Sequence, residues 1–202
     1  RPDMTVLDFG AGRASWFDEE QDTYKGRLRD LRPKVEQVIG CDVDPAVLDN
    51  PSVDKAVLVD QGPLPFVDDE FDLIVADYVF EHLDDPEGVA AEMGRILKPG
   101  GWLCARTPNK HGWVSLATRA VPNRLHKRVL GRAQPGRQEI DVFPTRFLLN
   151  SRRDIARYFR ASEWRNYSYY YRAEPAYHFN RAGIFAVMRT VDSIAPRPLA
   201  MN

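Results

Sequence analysis

Two short runs in this chain put acids and glycines where strands would end. Val6-Leu7-Asp8-Phe9-Gly10-Ala11-Gly12-Arg13-Ala14 is an apolar strand that carries a carboxylate and closes on a tight glycine turn. Glycines there let backbone N–H groups approach a ligand at the carboxyl end of a strand, where a side chain would block the way. About thirty residues on, the run Val35-Glu36-Gln37-Val38-Ile39-Gly40-Cys41 ends in Asp42. That spacing suits a strand–helix–strand unit whose second carboxylate, able to accept two hydrogen bonds, grips a ribose diol. The set fits an adenosine-containing cofactor.

The elements that must carry these residues follow from the pattern. Strands are expected at Thr5–Phe9, Val35–Cys41, Ala56–Val59, Phe71–Ala76 and Trp102–Ala105. The near-continuous apolar character of Phe71–Ala76 fits a parallel strand covered on both faces. Between them, Phe17–Leu31 is charged and reads as a helix ended by Pro33. Asp44 caps a short helix from Pro45, and Asp85-Pro86-Glu87 opens a helix carrying Val89, Met93, Ile96 and Leu97 at helical spacing. Lys98-Pro99-Gly100-Gly101 ends that helix. Strands alternating with helices imply an α/β fold with a parallel sheet and right-handed crossovers.

Beyond Thr107 the pattern blurs. Gly112–Val121 and Leu125–Leu130 read as helices, and Gly131–Gly136 as a loop. Asn150-Ser151 caps a helix through Phe159, Tyr167–Tyr171 reads as an aromatic strand, and Ile184, Val187, Met188, Val191 and Ile194 fit a helix. The sheet is then one strand short, and the chain reads as a piece of a longer protein.

At 202 residues, with 44% hydrophobic and 28% charged residues, the chain has the composition of a single globular domain. The apolar stretch Phe71–Phe80 is interrupted by Asp72 and Asp77 and is too short to span a membrane. Cys41 and Cys104 both lie in apolar runs and read as buried free thiols, which implies a reducing cytoplasm. The net charge of −1 hides an asymmetry: residues 1–92 carry 23 acids against 8 bases, and residues 93–202 carry 6 against 20. A basic half attracts an anionic substrate, a membrane surface or a partner, while the overall balance does not favour nucleic acid.

The ordered set of motifs resembles the class I S-adenosylmethionine-dependent methyltransferases, in particular those acting on small molecules. The resemblance rests on Val6-Leu7-Asp8-Phe9-Gly10-Ala11-Gly12, on Gly40-Cys41-Asp42-Val43-Asp44, on Leu64-Pro65-Phe66 with Phe71-Asp72-Leu73-Ile74, and on Phe80-Glu81-His82-Leu83 with Leu97-Lys98-Pro99-Gly100-Gly101. It covers about half the chain, residues 4–107. It implies a Rossmann-like, doubly wound, mostly parallel sheet with helices on both faces. A helical or irregular insertion would follow strand five, and the family's final antiparallel strand would be missing. The whole chain would be one cofactor-binding domain, with 108–150 an acceptor-side insertion or lid.

The same resemblance implies S-adenosyl-L-methionine as cofactor, S-adenosyl-L-homocysteine as product and no metal. Asp8, Phe9, Gly10, Ala11 and Gly12 would hold the methionine part, Asp42 the ribose hydroxyls, and Val43 the adenine face. Asp60, with Gln61 beside it, would accept from the adenine amino group, and Asp77 and Tyr78 would line the pocket near the sulfonium. The family's third glycine is replaced by Ala14, small enough to keep turn and helix close.

His82 is the candidate base, being the side chain that titrates near neutral pH. His82, Asn109, His111 and Trp113 are the acceptor-side candidates, with His126 and Tyr170 behind them. The acceptor would be a small molecule, anionic or lipid-linked, offering an O, N or C nucleophile, and peripheral membrane contact is compatible with the basic half. Two other readings stand beside this one. A non-catalytic partner protein could retain the fold. A nicotinamide-dependent oxidoreductase is disfavoured because Ser15 stands where Gly-x-Gly-x-x-Gly needs its third glycine.

Overall fold

The computed structural model describes residues 1–60, 62–112, 144–171 and 181–196. The chain falls into two compact units, one of Arg1–Phe80 with Asp85–Arg106 and one of Glu81–Asp84 with Thr107–Asn202.

The first unit is built on five strands: β1 (Thr5–Phe9), β2 (Gln37–Asp42), β3 (Lys55–Leu58), β4 (Phe71–Asp77) and β5 (Leu97–Arg106). They pair in parallel in the order β3-β2-β1-β4-β5. From β1 the chain winds outward through β2 to β3, then returns to β4 and winds the other way. Right-handed crossovers therefore put the connections on opposite faces, and the strand order reverses between β1 and β4. Val6, Leu7, Val38, Ile39, Phe71 and Ile74 are buried in the sheet, and Met93 and Ile96 of α3 (Pro86–Ile96) are buried with them.

Local chemistry fixes the connections. Asp85 accepts a hydrogen bond from Gly88 N–H and caps α3, as its position before Pro86 predicts. Asp44 likewise accepts from Ala46 N–H, but the turn it starts is a 3-10 helix, Pro45–Asp49. Arg95 anchors the β3–β4 connection by donating to the carbonyls of Leu64 and Phe66 and to Glu92 and Asp68. At the sheet's lower edge, Asp72 accepts from Thr5 N–H and from Lys98 Nζ.

Several expectations need correction. The charged stretch after β1 is not one helix but two, α1 (Trp16–Glu20) and α2 (Tyr24–Arg29). Thr23 breaks it: its hydroxyl donates to Glu20 O and accepts from Gly26 N–H, so it caps α2 and ends α1. α2 stops at Asp30, ahead of Pro33. Lys98-Pro99-Gly100-Gly101 does not separate helix from strand. β5 starts at Leu97, and the segment forms an irregularity within it, with Gly100 at φ +80. Cys104 is exposed, because β5 is an edge of the described sheet and its outward face, with Trp102, is uncovered among the described residues; Cys41 is buried.

In the second unit Ser151 caps α4 (Arg152–Tyr158), and α5 runs Ala182–Ile194. Tyr167–Tyr171 does not form a strand. Tyr167, Tyr169 and Tyr171 are exposed and Tyr170 is half-buried, so the alternation is present, but no neighbouring strand among the described residues supplies a ladder. The expected helices at Gly112–Val121 and Leu125–Leu130 and the loop Gly131–Gly136 lie almost wholly outside the described residues. Among those described, no helix is long and apolar enough to cross a membrane.

Gly40 shows how closely β2 and the turn after β1 pack. A Cβ there would stand 2.8 Å from Val53 Cγ1 and 3.0 Å from Ala11 Cβ. Gly40→Ala is expected to lower stability by about 1–3 kcal/mol, the usual cost of overpacking a filled site. Urea denaturation measures it; an unchanged midpoint would show that Val53 can move aside.

Candidate functional site

Parallel strands expose their carboxyl ends on one edge, and at a point of strand reversal the loops diverge and leave a crevice. Here that edge collects Asp8 from β1, Asp42 from β2 and Asp77 from β4, together with the turn after β1. Gly10 and Gly12 take φ of +74 and +52, in the left-handed region that favours glycine. A Cβ on Gly10 would overlap Val79 Cγ2, so both conformation and space require glycine there.

The turn lies back against β2. Gly10 N–H and Ala11 N–H both donate to Cys41 O, at 2.8 and 3.1 Å. Asp42 completes the tie: its Oδ2 accepts from Gly12 N–H and its Oδ1 from Asp44 N–H, each at 2.9 Å. Behind the turn, buried Asn50 donates from Nδ2 to the carbonyls of Ala11 and Gly12 and accepts at Oδ1 from Ser52 N–H and Oγ. A Cβ on Gly12 would reach within 4.0 Å of Asp42 Oδ2 and meet nothing else, so the glycine keeps open the space over that carboxylate.

The electrostatics follow from the crowding. The Asp8 carboxyl is raised to about 6, first by burial and then by the negative charges of Asp77 and Asp42, against Arg29. At the end of β4, Asp77 is opposite Arg106 of β5 in the strand register. Arg106 donates from Nε to Oδ1 and from Nη2 to Oδ2 of Asp77, both at 2.6 Å, and its guanidinium lies 4.7 Å from the centre of the Tyr78 ring. Tyr78 has φ +59, a rare conformation for a bulky residue, and its N–H donates to Arg106 O.

Residues 1–169 match the sequence pattern of the methyltransferase domain family. The chain belongs to that family. Within it the chain is of the class I, S-adenosylmethionine-dependent kind, and S-adenosylmethionine is its cofactor. A Ubiquinone/menaquinone biosynthesis C-methyltransferase UbiE of Laribacter hongkongensis is 30% identical over 107 residues, 51% of this chain and 42% of that protein. A Ubiquinone biosynthesis O-methyltransferase of Thiobacillus denitrificans is 40% identical over 42 residues, 21% of this chain and 18% of the relative. The chain thus spans less than half the length of these curated relatives. A SAM-dependent methyltransferase structure from Thermotoga maritima superposes with a TM-score of 0.53 at 17% identity, over 79% of this chain and 63% of that one, and shows the shared fold.

In this methyltransferase domain the edge suits its cofactor by its chemistry: open space beside Gly12, and carboxylates that attract a cation. Asp8, Phe9, Gly10, Ala11, Gly12, Asp42, Val43, Asp60, Asp77 and Tyr78 all belong to the first unit and sit on or just past the carboxyl ends of its strands. Val43 and Asp60 are exposed. Gln61 and Trp113 lie outside the described residues, as does His126.

His82, Asn109 and His111 belong to the second unit. His82 Nδ1 is 2.9 Å from Pro144 O; since a carbonyl only accepts, Nδ1 carries a proton. Its Nε2 stands 4.0 Å from Oε1 of buried Glu81, whose Oε2 accepts from Thr107 Oγ1. Asn109 is buried and accepts from His111 N–H, while His111 is exposed.

Asn50, Ser52 and Arg106 escaped the sequence reading. Asn50 acts from behind the turn and no spacing rule points to it. Arg106 had a signal, a base at the end of β5 matching the acid at the end of β4, but this shows only once the register is known.

Ala14 also differs from expectation. It lies at φ 51, so the methyl group that replaces the family's glycine sits on a left-handed backbone. Such a residue costs about 1–2 kcal/mol, and glycine returns about 0.4–1 kcal/mol of that as unfolded-chain entropy. Ala14→Gly is therefore expected to raise stability by up to about 1 kcal/mol in urea denaturation; a lower midpoint would mean that the methyl's packing outweighs the strain.

Asp8 gives a pH prediction. Its folded value lies above the ordinary 3.8, so its contribution to stability is complete below about 3.8 and is lost as pH rises through about 6. Ionising it in the folded chain costs on the order of 3 kcal/mol more than in the unfolded chain. Between pH 4 and pH 7 the wild type should lose up to that amount relative to Asp8→Asn; parallel stability curves for the two proteins would contradict it.

Proposed function

We propose that this domain catalyses methyl transfer from S-adenosylmethionine to an O, N or C nucleophile of a small organic molecule. One observation carries the reading: Asp42 ties down the glycine turn by accepting from Gly12 N–H, and a side chain at Gly12 would meet nothing but that carboxylate. When bound, the cofactor supplies a methyl group made electrophilic by its positively charged sulfur.

The chain's own residues then have distinct tasks. Asp42 accepts from the ribose hydroxyls, Val43 covers the adenine, and Asp60 and Gln61 meet its amino edge. The turn Phe9–Gly12 and Asp8 hold the methionine part. Asp77 and Tyr78 border the reacting end, where a cationic sulfur offsets the charge repulsion that burdens Asp8. Catalysis here rests on orientation, with a nucleophile held about 3 Å from the methyl and water kept out. Where the acceptor must lose a proton, His82 takes it, its ring oriented by the contact of Nδ1 with Pro144 O. Residues 108–150 serve as the acceptor-side insertion, within a single functional domain of residues 1–202.

The printed names of two relatives, an O-methyltransferase and a C-methyltransferase of quinone biosynthesis, support a small-molecule acceptor. The excess of bases in residues 93–202 favours an anionic or lipid-linked one, with peripheral contact to a membrane surface. The two free cysteines favour a cytoplasmic setting.

Calorimetric titration with S-adenosylhomocysteine tests the core of this. Asp42→Ala should weaken binding by roughly 1.5–3 kcal/mol, the range for hydrogen bonds to a charged group. Equal affinity in the two proteins would remove Asp42 from the ribose, and binding of NAD but not S-adenosylhomocysteine would overturn the methyltransferase reading.

A further inference from the structure

Helix α5 turns apolar residues both inward and outward. On its inner side Ile184, Phe185 and Met188 are half-buried and Asp192 is buried. On the other side Gly183, Val187, Val191 and Ile194 recur at helical spacing and form one stripe, with Val187 64%, Val191 40% and Ile194 77% exposed. A helix that is apolar all round is normally covered all round. The outer stripe calls for a covering layer.

The chemistry of that outer surface selects the layer. It runs from the stripe across Thr190, Ala186 and Ser193 to Arg189 at its margin, all exposed. It carries no acid. Asp192 is the one acid in the sequence after Glu174 and lies on the buried side, whereas Arg181, Arg189 and Arg197 are basic. The two hydroxyls of the surface are served within the helix: Thr190 Oγ1 donates to Ala186 O at 2.8 Å, and Ser193 Oγ donates to Thr190 O at 2.7 Å. Hydroxyls bonded back to their own helix can leave water at little cost.

A second copy of this chain fits that surface poorly. It would bring like charge to like, with no exposed acid on the helix to meet Arg189, and three side chains offer far less than the roughly 800 Å² that each partner of a stable dimer buries. An anionic bilayer supplies both needs, acyl carbon for the stripe and negative headgroups within reach of a long guanidinium side chain. We infer that α5 docks this protein on an anionic lipid surface, with its axis in the plane of the interface. Val187, Val191 and Ile194 then enter the acyl boundary, and Arg181 and Arg189 lie among the lipid phosphates. The inference rests on the membrane contact proposed above and names the element that makes it.

The test is flotation of the full chain with vesicles of phosphatidylcholine alone and of phosphatidylcholine mixed with phosphatidylglycerol. Phosphatidylglycerol should raise binding at least about tenfold. Joint substitution of Val187→Gln and Ile194→Gln, at side chains already exposed, should lower binding at least about tenfold and leave the urea midpoint and S-adenosylhomocysteine affinity unchanged. Arg189→Gln, which removes no apolar contact, should lower it roughly fivefold, the effect of one base near an anionic surface. Binding that survives the joint substitution would overturn the role of α5 and leave the membrane contact standing elsewhere. No binding to either vesicle would overturn both. Equal binding to the two vesicle types would overturn the assignment to an anionic surface. A dimer in solution that the joint substitution abolishes, without vesicle binding, would give the stripe to a second copy instead.

Discussion

The crevice depends on the glycine turn after β1 being fastened to the end of β2. Three hydrogen bonds do this, two to Cys41 O and one to Asp42 Oδ2, and two more from Asn50 brace the turn's carbonyls from behind. Without them the turn would have freedom that two positive-φ glycines make large, and the backbone could not present a fixed surface to a ligand. Gly40 is part of the same arrangement, since its missing side chain is what lets Ala11 come so near.

The same edge has an electrostatic character. It brings together carboxylates from β1, β2 and β4, and Asp8, raised first by its burial and then by the charges of Asp77 and Asp42, holds its proton unusually tightly. A fold selected for stability alone would not gather acids in this way. A positively charged ligand relieves the repulsion, so the site is less stable by itself than in the complex it is proposed to form. Arg106 relieves part of it from the outside, at Asp77.

Much of this was legible in the sequence, for reasons that differ from element to element. The strands β1, β2 and β4 announced themselves because buried parallel strands are runs of apolar residues, and the caps Asp85 and Ser151 because their side chains must lie at helix starts. The break at Thr23 was hidden, since a threonine within a charged stretch is as compatible with a helix interior as with a cap. The Pro-Gly segment after Leu97 looked like a terminator, and only the register with β4 reveals it as a bulge. For the site, the acids and glycines could be read because they share strand ends. Asn50 and Arg106 could not, because one acts from behind and the other through a neighbouring strand.

Asn50 carries one more consequence. Exposed asparagines age by deamidation, in which the next residue's backbone nitrogen attacks the side-chain amide and closes a ring. Asn50 is followed by Pro51, which has no N–H and cannot make that attack. Conversion to aspartate would replace two donors with acceptors facing the carbonyls of Ala11 and Gly12. The order Asn-Pro thus shields the amide that braces the glycine turn from the commonest chemical route to its loss.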